Sequence, residues 1–269
     1  MTERLHEVAL TSEEVTKILA VCGPRALLVG GQALAFWATY FNVEPVGELS
    51  AMVTTDADFI GSKAAAKELL TALGHGWDIR IATMDDATGQ IAKVFARGPG
   101  GGVKQVDFLA AIVGLDTRKV RERSVEVDLP SGARVQVLHP LDVLESRLRN
   151  LQTLPTKRNP AGVAQARLAI GVARKFIELM LDRAEKPRVV LRSVNRVIAL
   201  ALESRLAMVM MDFNVDVLDA VPASRIMTPG FAVHRWPQVQ MELNALRRKH
   251  EARKARRAAL KERTPRKRR

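Results

Sequence analysis

The spacing of apolar residues changes along the chain and divides it into two parts. Through about residue 138, short apolar runs alternate with amphipathic segments, which is typical of strands mixed with helices. From Pro140 onward, apolar residues recur every three to four positions, as on one face of a helix, in segments at about 161–184, 188–211 and 233–262. The pattern predicts an α+β domain with a mixed sheet over residues 1–138 and a helical domain over residues 139–246.

Start and stop signals define the elements of the first part. A capping box from Thr11 to Glu14 predicts the beginning of a helix that ends near Gly23. Ala26–Val29 is an apolar run stopped by Gly30 and Gly31, which indicates a buried strand and a tight turn before a helix over 32–40. Further strands are predicted at 56–60, 77–82, 91–96, 104–110, 125–129 and 134–138, the last four of them in two glycine-containing hairpins.

Most of the net positive charge lies in the C-terminal segment. The whole chain has a formal net charge of +13, but residues 247–269 hold 13 Lys/Arg and 2 Glu, a net of +11, and leave only +2 on residues 1–246. A polycationic block repels itself and binds polyanions, so this tail, helical or disordered, is predicted to contact RNA. The alternative is a solvated helix end that only aids solubility.

Several classes of protein are disfavoured by the composition. A single cysteine, Cys22, allows no internal disulfide and no multi-thiolate zinc site. Charges in the first seven residues argue against a secretory signal, and the longest uncharged stretch, 26–43, contains polar residues and two glycines. We expect a cytoplasmic protein without a membrane partner. Neither a P-loop nor a Gly-x-Ser-x-Gly elbow is present.

Three carboxylates are the strongest candidates for chemistry. Asp56 and Asp58 lie two apart on a predicted strand, so their side chains project from the same face. Two adjacent like charges need a cation or protons to compensate them, and oxygen ligands favour Mg²⁺ or Mn²⁺ over zinc. Asp107 lies on a later strand, and three carboxylates on two strands can bridge two metal ions about 3.5–4 Å apart.

A glycine turn precedes these carboxylates in the chain. Gly30 and Gly31 lie between a predicted strand and a predicted helix whose first residue is Gln32. Such a turn exposes backbone N–H groups at the positive end of the helix dipole, which suits the oxygens of a phosphate. By itself this motif more often has only a structural role. A glycine turn followed in the chain by Asp56, Asp58 and Asp107 seldom arises by chance, so the combination indicates a phosphate and metal site.

In this combination the sequence resembles the minimal nucleotidyltransferase fold shared with DNA polymerase β and the tRNA nucleotidyltransferases. The resemblance covers roughly residues 25–155 and is closest to bacterial abortive-infection and toxin nucleotidyltransferases, whose openings read like VGGQALAFW followed by a DxDF strand. A helical domain follows in that group, beginning much as HPLDVLESRLRNL does here. Two features differ: an extra loop at about 42–54, and Lys157-Arg158-Asn159 without the acidic residue found in related toxins.

The resemblance implies a mechanism and a set of site residues. Asp56, Asp58 and Asp107 would hold two Mg²⁺ (or Mn²⁺) ions, and an acceptor hydroxyl would attack the α-phosphorus of a nucleoside triphosphate and expel pyrophosphate. The glycine turn with Gln32 would bind phosphates. Three cations are candidates for the nucleotide site, with ordinary solvated charge as the alternative: Lys93, Arg147 and Lys157.

The sequence does not identify the acceptor of the nucleotide. RNA, such as a tRNA end, is favoured by the basic tail, and the resemblance suggests a toxin with a possible antitoxin protein as partner. Transfer to a protein or a small-molecule hydroxyl is the alternative within enzymes. A non-catalytic nucleic-acid-binding module is the alternative outside them, although buried carboxylates are costly without a cation to bind.

Overall fold

A computed structural model describes residues 8–44, 56–83, 85–86 and 89–263. The loop predicted at 42–54 lies outside the described residues from position 45 onward, so its role stays a prediction. Among the described residues, no helix is both long and apolar enough to cross a lipid bilayer.

The fold is α+β and is built on one mixed seven-stranded sheet in the order β3-β4-β5-β2-β1-β7-β6. The pairs β2–β5 and β1–β7 are parallel, and all other neighbours are antiparallel. Both predicted hairpins, β4–β5 and β6–β7, are present. The strands are β1 Leu27–Val29, β2 Asp56–Ile60, β3 Trp77–Ile81, β4 Gln90–Arg97, β5 Val103–Leu109, β6 Val125–Asp128 and β7 Arg134–Val137.

Helices pack around this sheet and continue beyond it in a helical part. Helix α2 packs on β1 and β2 and also on α5 and α6, so it connects the sheet to the helical part. One continuous cluster of buried apolar residues includes both. The helices are α1 Ser12–Cys22, α2 Gly30–Tyr40, α3 Lys63–Leu73, α4 Thr117–Arg123, α5 Pro140–Thr153, α6 Pro160–Asp182, α7 Pro187–Leu202, α8 Ser204–Asp212 and α9 Trp236–Arg263.

Local signals place most helix ends where the sequence predicts them. Thr11 and Glu14 form the expected capping box of α1, with the Glu14 N–H donating to Thr11 Oγ1 at 3.2 Å. Pro140 and Pro160 occupy the first turns of α5 and α6, where the missing N–H is not needed. Asn159 caps α6 by accepting from the Gly162 N–H at 2.8 Å.

Three elements differ from the sequence prediction. Helix α2 begins at Gly30, so the two glycines open the helix instead of forming a separate turn. The segment predicted at 188–211 is two helices, because the chain leaves the helical conformation at Glu203. Helix α4 is absent from the prediction. Its seven residues are too few for a clear apolar period, and the N-cap Asp116 is its main sequence signal.

The domain boundaries near residues 138 and 246 stay predictions.

A buried carboxylate joins α4, α5 and α7. Asp142 is fully buried and accepts two hydrogen bonds from Arg123, at 3.0 and 2.7 Å, and one from Arg196. Arg196 also donates to Glu145 at 3.0 Å. Because a buried carboxylate needs its partners, this cluster determines how α7 and α4 are placed against α5.

His139 makes the junction between the sheet and α5 sensitive to pH. Its Nδ1 accepts the Leu141 N–H at 3.1 Å and so caps α5, and burial lowers the pKa of His139 to about 4, against the opposing charge of Asp142. A proton is therefore bound more readily in the unfolded chain, so stability is full above about pH 6.5 and falls as the pH drops toward 4.

We predict that His139→Asn, which keeps an acceptor for the Leu141 N–H, loses less free energy of unfolding than the wild type when the pH falls through this range. Between pH 7 and pH 4.5 the wild type should lose roughly 2 kcal/mol more than the variant. Urea denaturation at the two pH values measures the difference, and equal losses would contradict the assignment.

Candidate active site

The register of two parallel strands brings the carboxylates together. Asp58 on β2 pairs with Asp107 on β5, and Asp56 pairs with Gln105 two positions earlier on each strand. The alternate residues Ala57 and Phe59 point the other way and are buried. On that opposite face Phe59 stacks on Phe108 with ring centroids 5.9 Å apart. Alternation therefore divides these strands into an apolar face and an acidic face.

The three carboxylates are placed to hold a metal ion. One oxygen from each of Asp56, Asp58 and Asp107 lies within 4.8 Å of the other two, and all three residues are half-buried. The sequence-based expectation that they meet on one face of the sheet agrees with this geometry. Their donor atoms are all oxygens, as hard divalent cations require.

The surroundings of Asp58 favour its protonated form. Burial raises the pKa of Asp58 to about 7, and the charges of Asp56 and Asp107 contribute to the rise. Arg147 and Lys157 act in the opposite direction. Both the burial and the repulsion would be offset by a bound cation, so the residues present fit a divalent metal.

Arg147 is the buried cation of the site. It lies on α5, is 8% exposed, and burial lowers its pKa while the charges of Asp58 and Asp56 raise it. Its guanidinium donates to Gln165 Oε1 at 3.2 Å and to Ser146 Oγ at 3.4 Å. The buried Nε has no hydrogen-bond acceptor among the described residues. A buried arginine with a donor to spare and acidic neighbours is suited to bind an anionic ligand.

Lys93 approaches the carboxylates from the neighbouring strand. It pairs with Asp107 across β4 and β5, with its Nζ 3.7 Å from Asp107 Oδ1, and it donates to Gln105 Oε1 at 2.9 Å. The charges of all three cations predicted from sequence act on the carboxylates: Lys93 lies beside Asp107, Arg147 interacts with the charges of Asp58 and Asp56, and the charge of Lys157 lowers the pKa of Asp58. Their roles toward a nucleotide stay predictions.

Gly30 allows the start of α2 to approach Asp58. Its φ is +67°, and a Cβ built there would lie 1.9 Å from Asp58 Oδ2. Gly31 is buried in the first turn, and no side chain caps α2 at Val29. The first turn of α2 therefore begins directly beside the carboxylates, where the positive end of the helix dipole lies next to them.

Gln32 lies in different surroundings from the other predicted residues. It lines an apolar cavity of about 550 Å³ together with Ile18, Phe36 and Ala57. Ala57 points away from the carboxylates, so this cavity is on the other face of β2. The role of Gln32 in binding nucleotide stays a prediction.

Two glutamines that were not predicted as site residues hold the cations. Gln105 could have been found, because it lies two residues before Asp107 and so projects from the same face of β5. Gln165 could not, because only the packing of α6 on α5 brings it to Arg147.

Known proteins resemble this chain only weakly. No protein-family model matches the chain, and no curated protein sequence matches it. Among solved structures, JHP933 from Helicobacter pylori is 12% identical with a TM-score of 0.35, over 93% of this chain and 100% of that one. A candidate nucleotidyltransferase from H. pylori is 12% identical with a TM-score of 0.32, over 89% and 98%. Likenesses this weak carry no functional conclusion.

We predict that Gly30→Ala disrupts the carboxylate cluster. The new methyl group would collide with Asp58, so Asp58 must move or the start of α2 must shift, and metal-induced stabilisation should be lost. Gly100→Ala is the matched control, because Gly100 has a similar φ of +71° but nothing within 4 Å of a Cβ built at that position.

Thermal unfolding with and without Mn²⁺ measures the effect. Both variants should lose about 1 kcal/mol or more to backbone strain. Only Gly30→Ala should also lose the rise in Tm that Mn²⁺ gives the wild type. An equal rise in both variants would show that Gly30 is not needed for close approach.

Proposed function

We propose that this protein is a metal-dependent nucleotidyltransferase, which transfers a nucleotide from a nucleoside triphosphate to an acceptor hydroxyl. The observation that carries the proposal is the cluster of Asp56, Asp58 and Asp107 with ligand oxygens within 4.8 Å of one another. The same residues, together with Gly30 and Gly31, form the sequence pattern that resembles the nucleotidyltransferase fold. Geometry and sequence pattern thus support the same activity.

Asp56, Asp58 and Asp107 would hold the metal, which we propose to be Mg²⁺ or Mn²⁺. Such an ion, when bound, would polarise phosphoryl oxygens and make an acceptor hydroxyl more acidic. The protein contributes a rigid site for it, because Asp58 and Asp107 are fixed by the pairing of β2 and β5. The apolar layer of Phe59 and Phe108 behind the strands holds them in place.

The triphosphate would lie among the cations and the start of α2. Arg147 is held by Gln165 and Ser146, and its Nε, which has no acceptor among the described residues, would donate to a phosphoryl oxygen. Lys93 and Lys157 would add positive charge. The N–H groups of the first turn of α2 would donate to a phosphate oxygen. These groups would orient the α-phosphorus and stabilise the charge of the leaving pyrophosphate.

We propose RNA, such as a tRNA end, as the acceptor. Residues 247–269 carry +11 of the net charge of +13, and the structure continues α9 as a helix through Arg263. A cationic helix of this kind favours a polyanionic acceptor over a small molecule. Protein and small-molecule hydroxyls remain the alternative acceptors and are outcomes of the test below.

A toxin role is the most specific part of the proposal and rests on the sequence resemblance alone. We propose that the protein inhibits growth by modifying RNA and that an antitoxin protein binds it. Induced expression in a bacterial host tests this: growth should stop with the wild type and continue with Asp58→Asn. Growth arrest by both would indicate toxicity unrelated to the carboxylates.

We predict that Asp56→Asn or Asp58→Asn abolishes transfer and leaves the fold intact. A metal ion stabilises the transition state by several kcal/mol, and a loss of about 1.4 kcal/mol lowers the rate tenfold. The rate should therefore fall about 100-fold or more. At pH 8, Asp58→Asn should also unfold at a higher temperature than the wild type without metal, because it removes a repelled charge.

The assay incubates the protein with Mg²⁺ or Mn²⁺, each α-labelled nucleoside triphosphate and total RNA. Label in RNA supports the proposed acceptor, and label in protein supports the alternative. Asp128→Asn is the control, because Asp128 is an exposed aspartate on β6 at the far edge of the sheet. Wild-type turnover by Asp58→Asn would contradict the proposed function.

A further inference from the structure

A second charged feature lies away from the carboxylates, between α5, α8 and α9. It is a groove of about 970 Å³ whose lining holds five Arg or Lys side chains and two carboxylates. Helix α5 contributes Arg149, Gln152 and Thr153, and α9 contributes the face from His250 to Arg257. The two carboxylates, Glu203 and Asp212, come from the junction of α7 with α8 and from the end of α8.

Both carboxylates already have partners inside the groove. Arg149 donates to Glu203 in a two-pronged pair at 2.7 and 2.6 Å, and Arg205 adds its charge near the same carboxylate. His250 Nε2 lies 3.2 Å from Asp212 Oδ1. Two carboxylates therefore face five Arg or Lys side chains, and the groove keeps an excess of positive charge.

Three cations on α9 form no ion pair within the described part of the chain. They are Arg253, Lys254 and Arg257, of which Arg253 donates to Met208 Sδ at 2.8 Å. Their i, i+1, i+4 spacing keeps them within about 100° of one another around the helix, so their charges line the same side of the groove. An uncompensated row of this kind is suited to the regularly spaced phosphates of a nucleic acid.

The lining also indicates which form of nucleic acid fits. It contains no Phe, Trp or Tyr, among the residues that the structure describes, on which an unpaired base could stack. Recognition would then depend on charge and shape, as it does for base-paired RNA. The part of α9 that lines the groove, from His250 to Ala258, is about 12 Å long, so the groove would contact a short stretch of a stem.

The groove and the carboxylates are connected through α5. Residues two apart on a helix are separated by about 200°, so Arg147 faces the carboxylates while Arg149 faces the groove. At the C-terminal end of α5 the two sites approach each other along the chain. Thr153 lines the groove, and Lys157, four residues later, lies near Asp58.

We propose that this groove binds the base-paired stem of the acceptor RNA and directs its end around α5 toward Asp58. The choice of RNA rests on the proposed function. The groove itself is inferred from Arg205, Arg253, Lys254 and Arg257, none of which belongs to the carboxylate site. Binding at the groove requires neither metal nor nucleoside triphosphate.

The test compares two charge reversals on the same helix. The groove variant is Arg253→Glu/Lys254→Glu/Arg257→Glu. The control is Arg248→Glu/Lys249→Glu/Arg256→Glu, whose residues are exposed on α9 and lie outside the lining of the groove. Each variant changes three cations into three anions, so total charge is matched. Circular dichroism on the full chain checks that both fold.

Fluorescence anisotropy with a labelled RNA hairpin measures affinity at several salt concentrations. The groove variant should lose affinity at least about tenfold, and its salt slope should be shallower by about three, because each phosphate contact contributes about one. The control should stay within about threefold of the wild type. The hairpin should bind more tightly than single-stranded oligo(A) of equal length and more tightly than polyglutamate.

Several outcomes would contradict RNA binding at the groove. Equal losses of affinity in the two variants would indicate that RNA binds the positive charge of α9 without a defined site. No loss of affinity in either variant would show that these cations do not bind RNA. Equal affinity for oligo(A) would contradict recognition of a stem, and equal competition by polyglutamate would indicate an acidic protein instead.

The measurement also separates the groove from the proposed function. It is run without metal or triphosphate and repeated with Asp58→Asn. Hairpin binding that depends on the groove cations, without any nucleotide transfer by the wild type, would overturn the function and leave the groove. Nucleotide transfer to RNA with unchanged affinity in the groove variant would overturn the groove and leave the function.

Discussion

Three carboxylates are held within 4.8 Å of one another on one face of a sheet, and much of the surrounding structure offsets their repulsion. Strand pairing imposes the closeness, because Asp58 and Asp107 occupy the same register step of β2 and β5. The backbone ladder cannot relax this repulsion without losing its hydrogen bonds. Positive charge comes instead from other elements, with Lys93 on β4, Arg147 on α5, and Lys157 after α5.

The helical part is organised around one of these cations. Arg147 lies on α5, and its position depends on Gln165 from α6 and on the packing of α5 against α2. The buried Asp142, with Arg123 and Arg196, then fixes α4 and α7 on α5. A charge needed at the sheet is thus held by helices whose own contacts are largely apolar or internally paired. The sheet and the helices also share one apolar core through α2, even though the sequence reads as two parts.

Helix α5 carries two kinds of charged contact on its two sides. Toward the sheet it presents Arg147 to a compact acidic site, and toward α8 and α9 it presents Arg149 to a groove with excess positive charge. The two environments suit two different ligands, a metal with a triphosphate and an extended polyanion. Among the described residues, none of the three carboxylates lines the groove, so the two ligands would bind at separate places.

The strands, most helix ends and the shared face of Asp56 and Asp58 could be predicted from the amino-acid pattern, because they depend on alternation, caps and turns within a few residues. The concentration of positive charge in the C-terminal segment could be predicted as well. The pairing of β2 with β5 in the register that joins Asp58 to Asp107 could not, and neither could the approach of Lys93, Arg147 and Lys157 to these carboxylates. The tertiary structure also placed Gln32 at an apolar cavity, brought Gln165 to Arg147, and made a groove from α5, α8 and α9. These features join residues far apart in the chain, and their positions follow from how helices and strands pack, which no local pattern encodes.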